Sequence, residues 1–77
     1  MQHKPIKSSN LHSGAYNAAT GRAEVTFKGK DGKAGATYVC EAMPAERWNA
    51  FEKTFDVDES SGKHYFANLR SMNWKKR

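Results

Sequence analysis

The residues best equipped for chemistry in this sequence are its cations and the aromatics beside them. Lys28, Lys30 and Lys33 fall in or next to one glycine-rich stretch, while Lys63, Arg70, Lys75, Lys76 and Arg77 belong to the last helical pattern and the basic end of the chain. Together they are eight of the thirteen Lys and Arg. His64 beside Tyr65 and Trp74 beside Lys75 put a ring next to a cation, which lets a base stack while its phosphate is held; each stacked base is worth roughly 1–3 kcal/mol. The candidate nucleic-acid-binding set is therefore Lys28, Lys30, Lys33, Lys63, His64, Arg70, Trp74, Lys75, Lys76 and Arg77. A solvated basic surface with its rings in the core is the structural alternative for the same pattern.

Catalytic constellations are harder to assemble. His3, His12 and His64 are scattered, and no HExxH, CxxC, GxSxG or phosphate-cradling GxxxxGK[ST] occurs. Residues 29–35 are glycine-rich but lack the strand-to-helix setting of a P-loop, so a cationic hairpin loop is expected there. Cys40 could meet His12 or His64 in space; a cysteine inside a strand and facing the core is the expected reading. Ser60-Ser61-Gly62-Lys63 could hold an anion at a helix start or serve as an ordinary cap. These observations point to a non-enzymatic protein with no catalytic, metal or cofactor site.

Positioning these residues falls to a single small fold. Seventy-seven residues bury about 60% of the unfolded chain's surface, enough for one core. The expected core rings are Phe27, Tyr38, Trp48 and Phe51, each worth roughly 1.5–3 kcal/mol when buried. One cysteine allows no internal disulfide, and residues 1–6 have no apolar run of signal-peptide length, so a reducing, cytoplasmic setting is expected. Thirteen cations against eight acids give +5, which favours a polyanionic partner at low salt.

Periodicity orders the elements. Residues 1–7 read as a loosely ordered lead-in with at most a short edge strand near Ile6. Residues 10–17 read as a weak strand in which Gly14 suggests a bulge or a close backbone contact. In residues 22–28, Ala23, Val25 and Phe27 alternate with Arg22, Glu24, Thr26 and Lys28, giving a core face and a wet face. Residues 36–41 return as a partner, with Ala36, Tyr38 and Cys40 on one side. Pro44 opens a helix over residues 45–55 with Trp48, Phe51 and Phe55 on one stripe. Residues 56–62 read as a linker, and a second helix over residues 63–72 aligns Tyr65, Leu69 and Met72. Residues 75–77 are a basic tail. The expected fold is α+β: a single domain over residues 1–77, a three-stranded antiparallel meander packed by two short C-terminal helices.

The order of short motifs resembles a known family. Ser8-Ser9-Asn10-Leu11, Gly14, Tyr16, the strand Ala23-Glu24-Val25-Thr26-Phe27, then Tyr38-Val39-Cys40-Glu41-Ala42-Met43-Pro44, Ser60-Ser61-Gly62-Lys63, Tyr65 and Asn68-Leu69-Arg70 resemble the KTSC domain over residues 8–74. The central piece is similar to that family's YxY followed by an apolar-proline step. Two departures stand out: Cys40 replaces the second tyrosine, and the segment between Phe51 and Ser60 is longer. The family includes modules at the C-terminus of some lysyl-tRNA synthetases and free-standing bacterial and phage proteins. The resemblance therefore implies an α+β binding module with RNA as the suggested ligand. Two functions are carried forward: binding of RNA or single-stranded nucleic acid through the basic loop and the C-terminal helix and tail, and a phage- or plasmid-encoded module that docks on a host protein. Oligomeric state is left open.

Overall fold

A computed structural model describes residues 2–57 and 60–77. Its elements are β1 (Lys4–Pro5), β2 (Leu11–Asn17), β3 (Arg22–Lys28), β4 (Ala34–Cys40), α1 (Ala45–Glu52), α2 (Ser60–His64) running on into a π-helical turn (Tyr65–Leu69), and β5 (Lys75–Lys76). The strands form one antiparallel sheet in the order β1-β2-β3-β4-β5. The α+β class holds, but the sheet has five strands where the sequence led us to expect three. Both added strands are two residues long, too short to carry a period-two pattern. They exist because partners recruit them: Lys4 lies opposite Gly14, and Lys76 lies opposite Tyr38. Residues 4–5 of the expected lead-in and 75–76 of the expected tail are thus edge strands.

The alternation read from β3 and β4 sets the core face. Ala23, Val25 and Cys40 are buried beneath the helices with Leu11 and Ile6 from the N-terminal side. Glu24 and Thr26, expected on a wet face, are only 5% exposed. The reason is cover from neighbouring strands: the Thr26 and Thr37 hydroxyls meet at 2.7 Å, and His3 and Arg77 close over Glu24.

Helix α1 starts where the sequence placed it. Pro44 precedes it with φ −64°, and its carbonyl accepts the Arg47 and Trp48 N–H groups at 3.1 Å. Regular α-helix ends at Glu52, and the chain continues through tighter turns to Phe55. Ser61, a candidate cap or anion ligand, points inward instead. It is fully buried, and its hydroxyl bonds the Thr54 carbonyl at 2.8 Å, fastening α2 to the end of α1. α2 therefore begins at Ser60, before the expected Lys63, and the helical run ends at Leu69. Asp58 and Glu59 of the expected linker lie outside the described residues.

Trp48 and Phe51 fill the core as expected, joined by Phe55, Tyr65 and Leu69, while Phe27 and Tyr38 are only half-buried. The seat of α1 on the sheet is Gly14. A Cβ added there would stand 3.0 Å from Trp48 Cη2 and 3.1 Å from Phe55 Cζ, both deeply buried rings with no room to withdraw. We therefore expect Gly14→Ala to destabilise the fold by about 1–3 kcal/mol through overpacking. A lower urea midpoint at unchanged slope would register this, and an unchanged midpoint would show that the helix can lift without cost.

Candidate functional site

Where α1 no longer covers the sheet, a groove of about 480 Å³ opens between the loop end of β3–β4 and the π-helical turn. Its walls are aromatic: Phe27 and Tyr38 from the sheet, Tyr65 and Phe66 from the turn, and Trp74 from the segment leading into β5. Lys28 and Arg70 bring charge to the same groove. Phe27 meets Tyr38 and Tyr65 edge to face at 5.5 Å, as Tyr65 meets Phe66, while Trp74 is tilted by 51° against Tyr65 at 5.5 Å. Trp74 is fixed by its indole N–H, which donates to the Leu69 carbonyl at 2.7 Å.

Two backbone irregularities aim these side chains. The ladders on both sides of β3 slip near Phe27: His12 is the extra residue on β2, while Gly35 and Ala36 together face Phe27 from β4. Such bulges re-aim side chains next to binding sites. Gly35 is needed in its bulge, because a Cβ there would lie 3.0 Å from the Gly29 nitrogen and the Phe27 oxygen. On the helical side, the Arg70 N–H donates to the Tyr65 carbonyl at 2.8 Å, the wide ring of a π turn. That turn puts Phe66 and Arg70 side by side. Phe66 is 47% exposed, and the Arg70 guanidinium lies 5.7 Å from its ring centre.

The ten sequence-selected residues do not form one patch. Lys28, Arg70 and Trp74 line the groove, and Lys30 and Lys33 are exposed in the adjoining β3–β4 loop. Lys76 shares the face of Tyr38, its register partner, whereas Lys75 and Arg77 belong to the opposite face with Val39 and Thr37. Lys63 is exposed on α2. His64 stacks on Phe51 at 5.9 Å and lines a separate cleft with Glu46, Arg47 and Asn68. Phe27, Tyr38, Tyr65, Phe66 and Met72 were not in the set. Phe66 was findable, since it stands off the Tyr65–Leu69–Met72 stripe and four residues before Arg70.

Among the described residues Lys4, Arg22 and Arg77 are engaged by Glu52, Glu24 and Glu41, while Lys28, Lys30, Lys33 and Lys76 make no ion pair. Away from the groove, Glu24 Oε1 accepts from His3 Nε2 at 2.9 Å and Arg77 Nη1 at 3.2 Å, and Oε2 accepts from Arg22 Nε at 3.2 Å. His3 Nδ1 stands 3.1 Å from the Ser13 hydroxyl, completing a Ser–His–carboxylate line. Ser13 is 7% exposed and shared with His12, and the carboxylate is already held by two guanidinium groups.

No protein-family model and no curated protein matches the chain. The crystal structure of a KTSC domain protein from Yersinia pestis is similar over 99% of this chain and 96% of that one, with a TM-score of 0.76 and 21% sequence identity. The fold is KTSC-like. At that identity the likeness is one of architecture. In this KTSC-like fold the first tyrosine of the YxY-like piece, Tyr38, lines the groove, and Cys40 in the second position is buried in the core.

Two titrations follow from these surroundings. Burial pushes the Glu24 carboxyl up, but the His3 and Arg22 hydrogen bonds and the Arg77 charge outweigh it and hold the group below its usual 4.5. A depressed carboxyl stabilises the fold fully above 4.5, and that contribution is lost as pH falls through the folded value. The urea midpoint should therefore drop as pH falls below 4.5 and through the lowered folded value, and Glu24→Gln should flatten that drop. Burial, with the nearby Tyr38, pushes the Tyr65 phenol up to about 12. Its contribution is present below 10 and lost as pH rises toward 12, so in a spectroscopic titration one of three tyrosines should ionise late, and Tyr65→Phe should remove that step.

Proposed function

We propose that this domain is a small, non-enzymatic cytoplasmic module that binds RNA or other single-stranded nucleic acid, an unpaired base entering the aromatic groove while its phosphates meet the cationic rim. The observation that carries this reading is the union, in one groove, of five aromatic walls with Lys28 and Arg70. Aromatic cages also suit cationic guests, but two fixed cations repel those. A flat, neutral ring attached to an anion satisfies both features at once. Lys30, Lys33 and Lys76 extend the positive surface along the path a strand would take on either side of that base. Duplexes keep their base faces stacked away, so single strands fit better.

Docking on a host protein is the competing reading, favoured by the exposed Phe66 ring. Salt separates the two. Single-strand binding should weaken log-linearly, with a slope of roughly −0.7 per neutralised phosphate, whereas apolar docking should not.

We expect Phe66→Ala to weaken binding of a short oligouridine by roughly 1–3 kcal/mol, the worth of one stacked base. Lys30→Ala with Lys33→Ala should make the salt slope shallower by about 0.7 for each phosphate that the variant leaves unneutralised. Fluorescence anisotropy with the labelled strand and with its duplex reads both. Absence of retention at low salt by the intact chain, or equal binding by Phe66→Ala, overturns the reading.

A further inference from the structure

The segment around β5 touches both faces of the sheet. Trp74 stands in the groove wall, 5.5 Å from the Tyr65 ring. Arg77 lies on the opposite face, where its backbone N–H donates to the Thr37 carbonyl at 2.8 Å and its guanidinium reaches Glu24 at 3.2 Å. Between them β5 is only two residues, Lys75 opposite Val39 and Lys76 opposite Tyr38. So short an edge strand has little ladder of its own, and its docking depends on the anchors at its ends. The carboxylate that Arg77 meets does not drift, because Glu24 is 5% exposed and also held by His3 and Arg22.

We infer that Glu24 is a positioning residue for the groove on the other side of the sheet: through Arg77 it keeps β5 docked, and so supports the hydrogen bond to Leu69 that holds Trp74 in the groove wall. In its binding arm this rests on the nucleic-acid reading above and adds to it a control point remote from the ligand. The groups facing Glu24 are His3 beside β1, Ser13 with His12 on β2, Arg22 on β3, and Arg77; Glu41 reaches the cluster only through Arg22. Charge alone makes the opposite forecast. Replacing Glu24 by Gln adds a net positive charge and should tighten binding of any polyanion, whereas loss of positioning weakens it.

The test compares Glu24→Gln with Glu41→Gln, which changes the charge equally but leaves the Arg77 anchor in place. Hydrogen exchange is followed at the Trp74 indole and the Arg77 amide without nucleic acid. The Trp48 indole, bonded to Glu52 at 3.0 Å, reports global opening. Affinity for a labelled oligouridine is measured alongside. In Glu24→Gln, exchange at Trp74 and Arg77 should quicken about two- to fivefold with Trp48 unchanged, and oligouridine binding should weaken by about the same factor. Glu41→Gln should exchange as the parent does and bind as well or better. If Trp48 also quickens in Glu24→Gln, Arg77→Gln, which leaves Glu24 its His3 and Arg22 partners, carries the same exchange forecast. Unchanged exchange at Trp74, or binding that tightens in both carboxylate variants, overturns the inference. Faster Trp74 exchange with no oligouridine bound by any form, the parent included, upholds the positioning and overturns the nucleic-acid reading instead.

Discussion

The close seat of α1 on the sheet at Gly14 is the constraint on which the rest of the molecule depends. Because Gly14 has no side chain, the Trp48 ring can lie against the β2 backbone and stack on Tyr16 at 5.5 Å, and the Tyr16 hydroxyl then donates to the Met43 carbonyl at 2.7 Å. From that seat the rings run on without a break. Trp48 meets Phe51 at 5.3 Å, Phe51 meets Tyr65 at 6.1 Å, and Tyr65 touches Phe27, Phe66 and Trp74 at 5.5 Å each. The groove walls are thus the outer end of the core's own packing. A wall held by buried neighbours loses little freedom when a ligand arrives, which favours affinity from a small surface.

Regular secondary structure would not have produced this groove. A strand alternates its side chains strictly, and an α-helix spaces them on fixed stripes, so each element by itself offers one buried face and one wet one. The bulges beside Phe27 and the π turn from Tyr65 to Leu69 break those rules at adjacent places. Each break gives up some hydrogen-bond regularity. In return Phe27 and Tyr38 stay half-buried and line an open groove with Tyr65, Phe66 and Arg70, the Phe27 ring keeping its edge contact with Tyr65.

Much of the scaffold was legible because it follows from burial on one side. The alternation Ala23, Val25, Phe27 and the stripe Trp48, Phe51, Phe55 each report a face pressed on the core, and the structure keeps both. What periodicity reports is the face and not the depth. Phe27 and Tyr38 stand on the core face but beyond the reach of α1, so rings assigned to the interior line the groove instead. Glu24 shows the converse, on the face away from the helices and yet nearly inaccessible. Strand β5 was illegible because two residues carry no period, and β1 was foreseen only as at most a short edge strand near Ile6. The candidate cations were legible as residues and not as a patch. Alternation through β5 sends Lys76 one way and Arg77 the other, and His64 precedes the π turn on a different flank of the helix.

The net charge of +5 understates how uneven the surface is. Three of the eight acids, Glu24, Glu41 and Glu52, are occupied with Arg22, Arg77 and Lys4, cations that hold the chain together on the groove-free side and along α1. Their charges cancel locally and contribute little at a distance. The other ten Lys and Arg make no ion pair among the described residues; Lys28 and Arg70 line the groove, Lys30 and Lys33 lie in the adjoining loop, Lys76 shares the face of Tyr38, and Lys7, Arg47, Lys53, Lys63 and Lys75 lie elsewhere. Pairing inside the fold therefore cancels charge on the face opposite the groove, at Glu24, and leaves Lys28 and Arg70 uncompensated within it. The Glu24 carboxylate that Arg22 shares also engages Arg77, on the face opposite the groove.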